Sequence, residues 1–339
     1  MNRKILVLAF AFLFSFSAAY AGDLARAGTT SGTQLLIPVG ARSLAMGGAV
    51  LGEISGAEAM YWNPAGVAYS EKSEVLFNNM SYIADTDLNY LALVFNGGSI
   101  GAFGLDIKSL NFGDIEETTE LSPDGTGNTY SPAFTVVGLT YSRLITDRIT
   151  AGITGKVIHE GIMQTSANTL AFDLGVQYSF TNNIQVGVVM KNVGGKLTYS
   201  GSNLERTAPI PSSNLIRDNG YFSGVALGAD IPSVFSFGVS YTANINEENS
   251  LLFSGAFSNN NAASDDLYGG LQYGFKNFFF LRGGYDYQTQ TSNDQIFGAS
   301  FGAGLKYQLN SFVFVFDYAF RQVTDYFDSN NVFTIKLMF

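Results

Sequence analysis

Asn331-Val-Phe-Thr-Ile-Lys-Leu-Met-Phe339 ends the chain. Phe333, Ile335, Leu337 and Phe339 fall on one side of an extended backbone, and Val332, Thr334, Lys336 and Met338 fall on the other. A two-residue period of this kind makes a strand with one apolar and one mixed face. Two architectures end on such a strand. One is a soluble sandwich. The other is a membrane barrel, in which a terminal aromatic, here Phe339, acts as the assembly signal.

Working backwards from this strand, the same period recurs. Leu170, Phe172, Leu174, Val176, Tyr178 and Phe180 oppose Ala171, Asp173, Gly175, Gln177 and Ser179. Phe312, Phe314, Phe316, Tyr318 and Phe320 oppose Ser311, Val313, Val315, Asp317, Ala319 and Arg321. Apolar residues on one side, with small or charged residues on the other, is the lipid and lumen pattern of a transmembrane barrel. About fourteen segments show it, near 72–83, 87–96, 99–110, 132–143, 149–160, 167–180, 184–192, 232–243, 250–258, 266–275, 278–287, 296–308, 311–321 and 331–339. The expected fold is therefore all-β, a transmembrane antiparallel β-barrel over residues 71–339. An even strand count puts both barrel ends on the periplasmic side. If the first strand runs outward, the two long connections, 111–131 and 193–231, both fall outside. Short turns inside and long loops outside are the asymmetry of such barrels.

The other end of the chain agrees. Asn2, Arg3 and Lys4 precede an apolar run from Ile5 to Ala18, and Ala19-Tyr20-Ala21 is a small-x-small cleavage site. Residues 1–21 read as a secretory signal peptide. No later stretch reaches ~18 consecutive apolar residues, the length of a helical span. The chain has 18 Lys and Arg against 28 Asp and Glu. Losing Arg3 and Lys4 leaves 16 against 28, a formal charge of −12. An acidic chain offers nothing electrostatic to nucleic acid. With no Cys, an exported protein must take its stability from a continuous sheet. The 38 Gly, 29 Phe and 18 Tyr suit bent strands and aromatic girdles, and only 14% of residues are charged.

Residues 22–70 do not alternate. They hold the apolar run Leu35 to Val39, a Gly/Ala/Met-rich stretch, and Tyr61-Trp62-Asn63-Pro64-Ala65-Gly66. Lying before the first strand, this segment is expected in or under the periplasmic mouth. A barrel of this size has an interior to fill. The motif Asn63, Pro64, Ala65 and Gly66 reads as part of a plug, or of a periplasmic cap without a gating role.

Candidate chemistry is sparse. His159, the single His, lies on the lipid-facing side of the fifth strand without a nucleophile signature. There is no Cys or second His for a zinc site. Asp114, Glu116, Glu117, Glu120 and Asp124 make an acidic outer loop that lacks the ligand order of a Ca²⁺ site. No catalytic residue, metal or cofactor is implied. The notable set is inward: Asp106, Lys108, Lys156, Asp173, Lys191, Arg282, Asp286, Lys306, Asp317, Arg321 and Lys336 share the lumen parity. Mixed signs suit cross-strand pairs that hold a closed barrel rigid, or a polar permeation path.

Leu35-Leu-Ile-Pro-Val-Gly-Ala-Arg-Ser-Leu-Ala-Met-Gly-Gly-Ala49, followed by Ala59-Met-Tyr-Trp-Asn-Pro-Ala-Gly-Val-Ala68, resembles the N-terminal signature of the PorV/PorQ family. Gly302-Ala-Gly-Leu-Lys-Tyr307 and Phe316-Asp-Tyr-Ala-Phe320 resemble its last strands. The family is related to FadL-type transporters, which share an Asn-Pro-Ala element before the first strand. The resemblance implies a fourteen-stranded FadL-like barrel with an N-terminal plug in the cell outer membrane. It further implies a role in type IX secretion, binding or shuttling the C-terminal signal domains of exported cargo. Partners would be outer-membrane lipids, the barrel assembly machinery, that cargo and other secretion components. The alternative is a FadL-like channel for hydrophobic small molecules.

Overall fold

The computed structural model describes residues 28–181, 183–209, 219–289, 295–324 and 327–339. The expected signal peptide, 1–21, lies outside them. Fourteen antiparallel strands form the wall. In chain order they are β1 Glu74–Ser81, β2 Asp87–Asn96, β3 Ala102–Asn111, β4 Ala133–Thr146, β5 Ile149–Ile162, β6 Thr165–Thr181 and β7 Ile184–Gly194, followed by β8 Val234–Asn244, β9 Asn249–Asn260, β10 Asp266–Phe275, β11 Phe279–Gln288, β12 Phe297–Leu309, β13 Phe312–Val323 and β14 Asn330–Met338. Each pairs with its sequence neighbours. β14 returns to β1 in a ladder running from Glu74↔Met338 to Ser81↔Asn331, which closes the cylinder. A closed ladder satisfies backbone N–H and C=O groups that lipid cannot.

The residue period decides which way each side chain points. Leu170, Phe172, Leu174 and Val176 of β6 are exposed, whereas Ala171, Asp173 and Gln177 are buried. Phe316, Tyr318 and Phe320 of β13 are exposed while Asp317, Ala319 and Arg321 are buried. The exposed side is the lipid face. Leu174→Arg should therefore destabilise the barrel by ~2–4 kcal/mol if it sits near the bilayer midplane. Denaturant midpoints in lipid would measure this.

The connections alternate in length. Of the long outer ones, 112–132 carries the short hairpin Ile115–Glu116 with Thr129–Tyr130. The other, 195–233, carries Glu205–Pro209 paired with Asn219–Ser223, and lays Ser200–Gly201 onto the outer end of β6. At the opposite end the wall turns tightly. Lys276 and Asn277 both take left-handed φ, 54° and 50°, at the centre of a turn closed by Phe278 N–H donating to Phe275 O at 3.0 Å.

The last residue does more than follow β14. The Phe339 N–H donates to Ser73 O at 3.0 Å, which extends the seam by one bond. Deleting Phe339 should lower the yield of heat-modifiable barrel far more than removing any single loop residue, because an open seam leaves orphan polar groups in lipid. An unchanged yield would refute the assembly role.

Candidate functional site

Residues 33–70 run through the interior as short helical turns, including α1 Ala41–Ala45, α2 Ala59–Trp62 and a 3-10 turn Pro64–Tyr69. Val39, Ala41, Leu44, Met46, Val50 and Ile54 are buried with wall residues such as Leu76, Tyr90 and Val189. This segment occupies far more of the lumen than the periplasmic mouth expected from its place before β1. Its Pro64–Gly66 part lies toward the periplasmic ends of β5 and β6. Its Gln34–Ile37 part reaches Lys108, near the outer end of β3.

Glycines let it approach the wall. A Cβ on Gly152 would fall 2.4 Å from the Pro64 carbonyl carbon, one on Gly175 2.1 Å from Asn63 Oδ1, and one on Gly187 2.0 Å from Leu51 O. Across the barrel, Gly270 and Gly284 give the same clearance to Met46. Polar bonds then fix the register. Asn63 Oδ1 accepts from Ala65 N–H at 3.2 Å, and Asn63 Nδ2 donates to Leu51 O at 3.2 Å and Val176 O at 3.3 Å. Pro64 follows as the first residue of its turn, where no N–H is needed. Ser142 Oγ donates to Ala65 O at 2.9 Å. Gln177 Nε2 donates to Leu51 O and Ile54 O, both at 3.0 Å. Gln177 thus faces the interior segment rather than open water. Gln177→Arg, mild in an empty lumen, should here unseat that segment and raise ion conductance in planar bilayers; wild-type conductance in this variant would contradict the contact.

Carboxylates complete the anchoring. Glu74 Oε2 accepts from Ala57 N–H at 2.8 Å, with Lys336 Nζ 3.9 Å away. Arg42 pairs with Glu53 at 2.5 Å. Glu58 accepts from Ser43 N–H at 3.1 Å. Burial holds the Glu58 carboxyl above its ordinary range, against the opposing pull of Arg42 and the Ser43 bond.

The inward charges fall into several different arrangements. Lys156 pairs with Asp173 and donates to Asn192 Oδ1 at 3.1 Å. Arg282 meets Asp317 at 2.6 Å, and Arg321 meets Asp286 at 3.0 Å, each pair reaching from β11 to β13 across β12. Lys108 instead donates to the carbonyls of Gln34 and Ile37, at 2.7 and 2.5 Å. Lys191 Nζ stands 4.3 Å from the Tyr61 ring centroid and 5.6 Å from that of Trp62. Asp106 is buried beside Gly138, whose missing Cβ makes room for it. Lys306 is half-buried near the periplasmic end of β12. His159 stays on the outer face of β5, its Nδ1 2.8 Å from Asn168 Oδ1.

Above this filled interior lies a cavity of ≈320 Å³. Its apolar walls include Leu36, Ile37, Leu44, Tyr61, Trp62, Tyr82, Tyr268 and Phe297, and its polar groups include Lys191, Ser236, Ser258, Asp266, Asp286 and Arg321. Sequence reading singled out some of these charges but not the cavity, because the aromatics come from the non-alternating segment, one strand-to-strand connection and two strands. The wall beside it is weakened. Pairing of β11 with β12 stops at Tyr285↔Ala299, although β11 runs to Gln288 and β12 begins at Phe297. The Gln295 side chain takes the place of the missing rungs, its Nε2 donating to Asp286 O and Phe297 O.

No family model and no curated protein matches the chain. Solved structures do. It superposes on the CymD monoaromatic hydrocarbon channel with a TM-score of 0.58 at 16% identity, covering 90% of this chain and 98% of that one. For the Pseudomonas putida toluene transporter TodX the values are 0.57, 13%, 88% and 97%. For a Pseudomonas aeruginosa FadL homologue they are 0.52, 12%, 89% and 98%. The chain thus has the FadL-like fold, a closed fourteen-stranded outer-membrane barrel with its lumen occupied by the segment before β1.

Proposed function

We propose that this barrel is a channel for small hydrophobic molecules, taken from the outer side into the cavity above the plug. The observation that carries this is the cavity itself: ≈320 Å³, with an aromatic wall, closed beneath by hydrogen-bonded chain. Ligand pockets run from roughly 300 Å³ upward, and a cavity of about 150 Å³ already accepts benzene. The space here suits one or two rings. Two of the similar solved structures are a monoaromatic hydrocarbon channel and a toluene transporter, which supports the same reading.

A solute in the cavity has two ways on. The plug shifts, or the solute leaves through the side of the barrel where Gln295 replaces the β11–β12 rungs. The type IX role implied by the PorV/PorQ resemblance rests on the N-terminal motif and the long outer connections. That same motif serves here as the wedge between plug and wall, which a solute channel needs equally. The channel reading is therefore preferred.

Trp62 is the single Trp of the chain and lines the cavity, so its emission reports occupancy. Titration of the purified barrel with toluene should give a saturable change. A strictly linear response, as from partition into detergent, would remove the binding site from the proposal.

A further inference from the structure

The cavity is not a plain hydrocarbon site. Asp286 and Arg321 form an ion pair at 3.0 Å through Asp286 Oδ2 and Arg321 Nη2. Both residues border the cavity and are more than nine-tenths buried. The pair leaves two atoms over. Asp286 Oδ1 and Arg321 Nη1 are enclosed and have no hydrogen-bond partner among the described residues. Asp266, on the adjoining strand and on the same cavity, leaves its Oδ1 in the same condition while Oδ2 accepts from Tyr268. An acceptor and a donor belonging to one ion pair thus stand enclosed and unpartnered on two residues that line an aromatic chamber. Arg321 is fixed there by Phe297, whose ring centroid lies 3.6 Å from its Cζ.

Leaving such atoms unmade is expensive, and a site built to pair with a ligand hydroxyl rejects the analogue without one. We propose, building on the channel reading above, that the cavity selects a neutral aromatic molecule carrying one hydroxyl-like group, which donates to Asp286 and accepts from Arg321. A phenolic O–H does both at once. The charge balance excludes a carboxylate as the preferred head group. Among the described residues that line the cavity, the two cations, Lys191 and Arg321, are matched by two carboxylates, Asp266 and Asp286. Lys191 is turned onto the Tyr61 and Trp62 rings, and Arg321 is held by Asp286. An anionic ligand would add a further negative charge beside Asp286 and Asp266, which both line the cavity. A bare hydrocarbon would leave all three atoms unpaired.

The test compares phenol, toluene and benzoate on the intact purified barrel by Trp62 emission excited at its red edge. The comparison protein is the double variant Asp286→Leu/Arg321→Met, which removes both charges together and so strands neither. Heat-modifiable migration confirms that it is folded. Phenol should bind wild type more tightly than toluene despite its greater water solubility, with benzoate weakest. In the double variant the toluene-to-phenol ratio of Kd values should fall at least tenfold and the order reverse. A ratio unchanged between the two proteins would overturn the proposal, with water then satisfying the leftover atoms, while saturable toluene binding would keep the channel reading. Benzoate binding tightest would also overturn it, in favour of an anion site. If none of the three saturates, the channel reading falls with it.

Discussion

Deleting residues 28–70 should turn a poorly conducting barrel into an open pore. In planar bilayers the rise should be on the order of tenfold or more, since a fourteen-stranded cylinder without filling encloses water. The wall can survive the loss because its backbone bonds run strand to strand and its closing ladder, β14 on β1, does not involve the plug. What disappears is the chain between Pro64, wedged at Gly152 and Gly175, and Met46, wedged at Gly270 and Gly284. Those two contacts lie on separate stretches of the wall, β5–β6 and β10–β11, so their removal opens the bore. Lys108 would lose its two carbonyl acceptors and Gln177 its two, and both would be left facing water. A deletion variant that folds yet conducts no more than the full chain would show that the plug is not what closes the barrel.

The largest single-residue effect on stability is expected at Arg282. Its Nη1 lies 2.6 Å from Asp317 Oδ1 and its Nε 2.7 Å from Gln272 Oε1, with the side chains of the pair 3% and 5% exposed. The two residues sit on β11 and β13, and β12 between them presents glycine. A Cβ at Gly304 would fall 2.2 Å from Asp317 Oδ1 and 2.6 Å from Arg282 Nη1. Arg282→Met leaves Asp317 enclosed without its cation and should cost about 3–5 kcal/mol. Adding Asp317→Leu should recover much of that loss, because the penalty comes from stranding one charge rather than from losing the pair. Unfolding midpoints in urea for the two single variants and the double would show it. Strictly additive losses would mean that the two side chains do not act as a pair.

The barrel was legible from the chain because its strands keep a period of two over most of their length, even where the register slips, as between Phe172 and Leu174 of β6. Leu174 and Gln177, three residues apart, must face opposite ways, and they do. The connection lengths carried the orientation for a similar reason. A turn on the assembly side has little room to grow, so the two long insertions share the other side. The interior was less legible. Residues 33–70 fold as single turns of helix whose shape is set by the wall, and no period records that. Their depth was misjudged because order along the chain, before β1, says nothing about how far a flexible segment can thread inward. One signal was present. Gly152, Gly175, Gly187, Gly270 and Gly284 stand where inward side chains belong, and a run of such absences marks where another chain presses close. The inward charges were visible one at a time, but their partners were not. Arg282 and Arg321 each reach over an intervening strand, a step that nearest-neighbour pairing does not anticipate.

Uptake of radiolabelled toluene by Gram-negative cells that lack hydrocarbon channels of their own tests the channel most directly. Expression of this barrel should speed uptake well above that of cells with an empty vector. Ser236→Phe should abolish the gain at equal barrel abundance, since Ser236 borders the cavity and a ring there fills it. Uptake no faster than with the empty vector, from barrel correctly folded in the outer membrane, would contradict a channel for hydrophobic solutes.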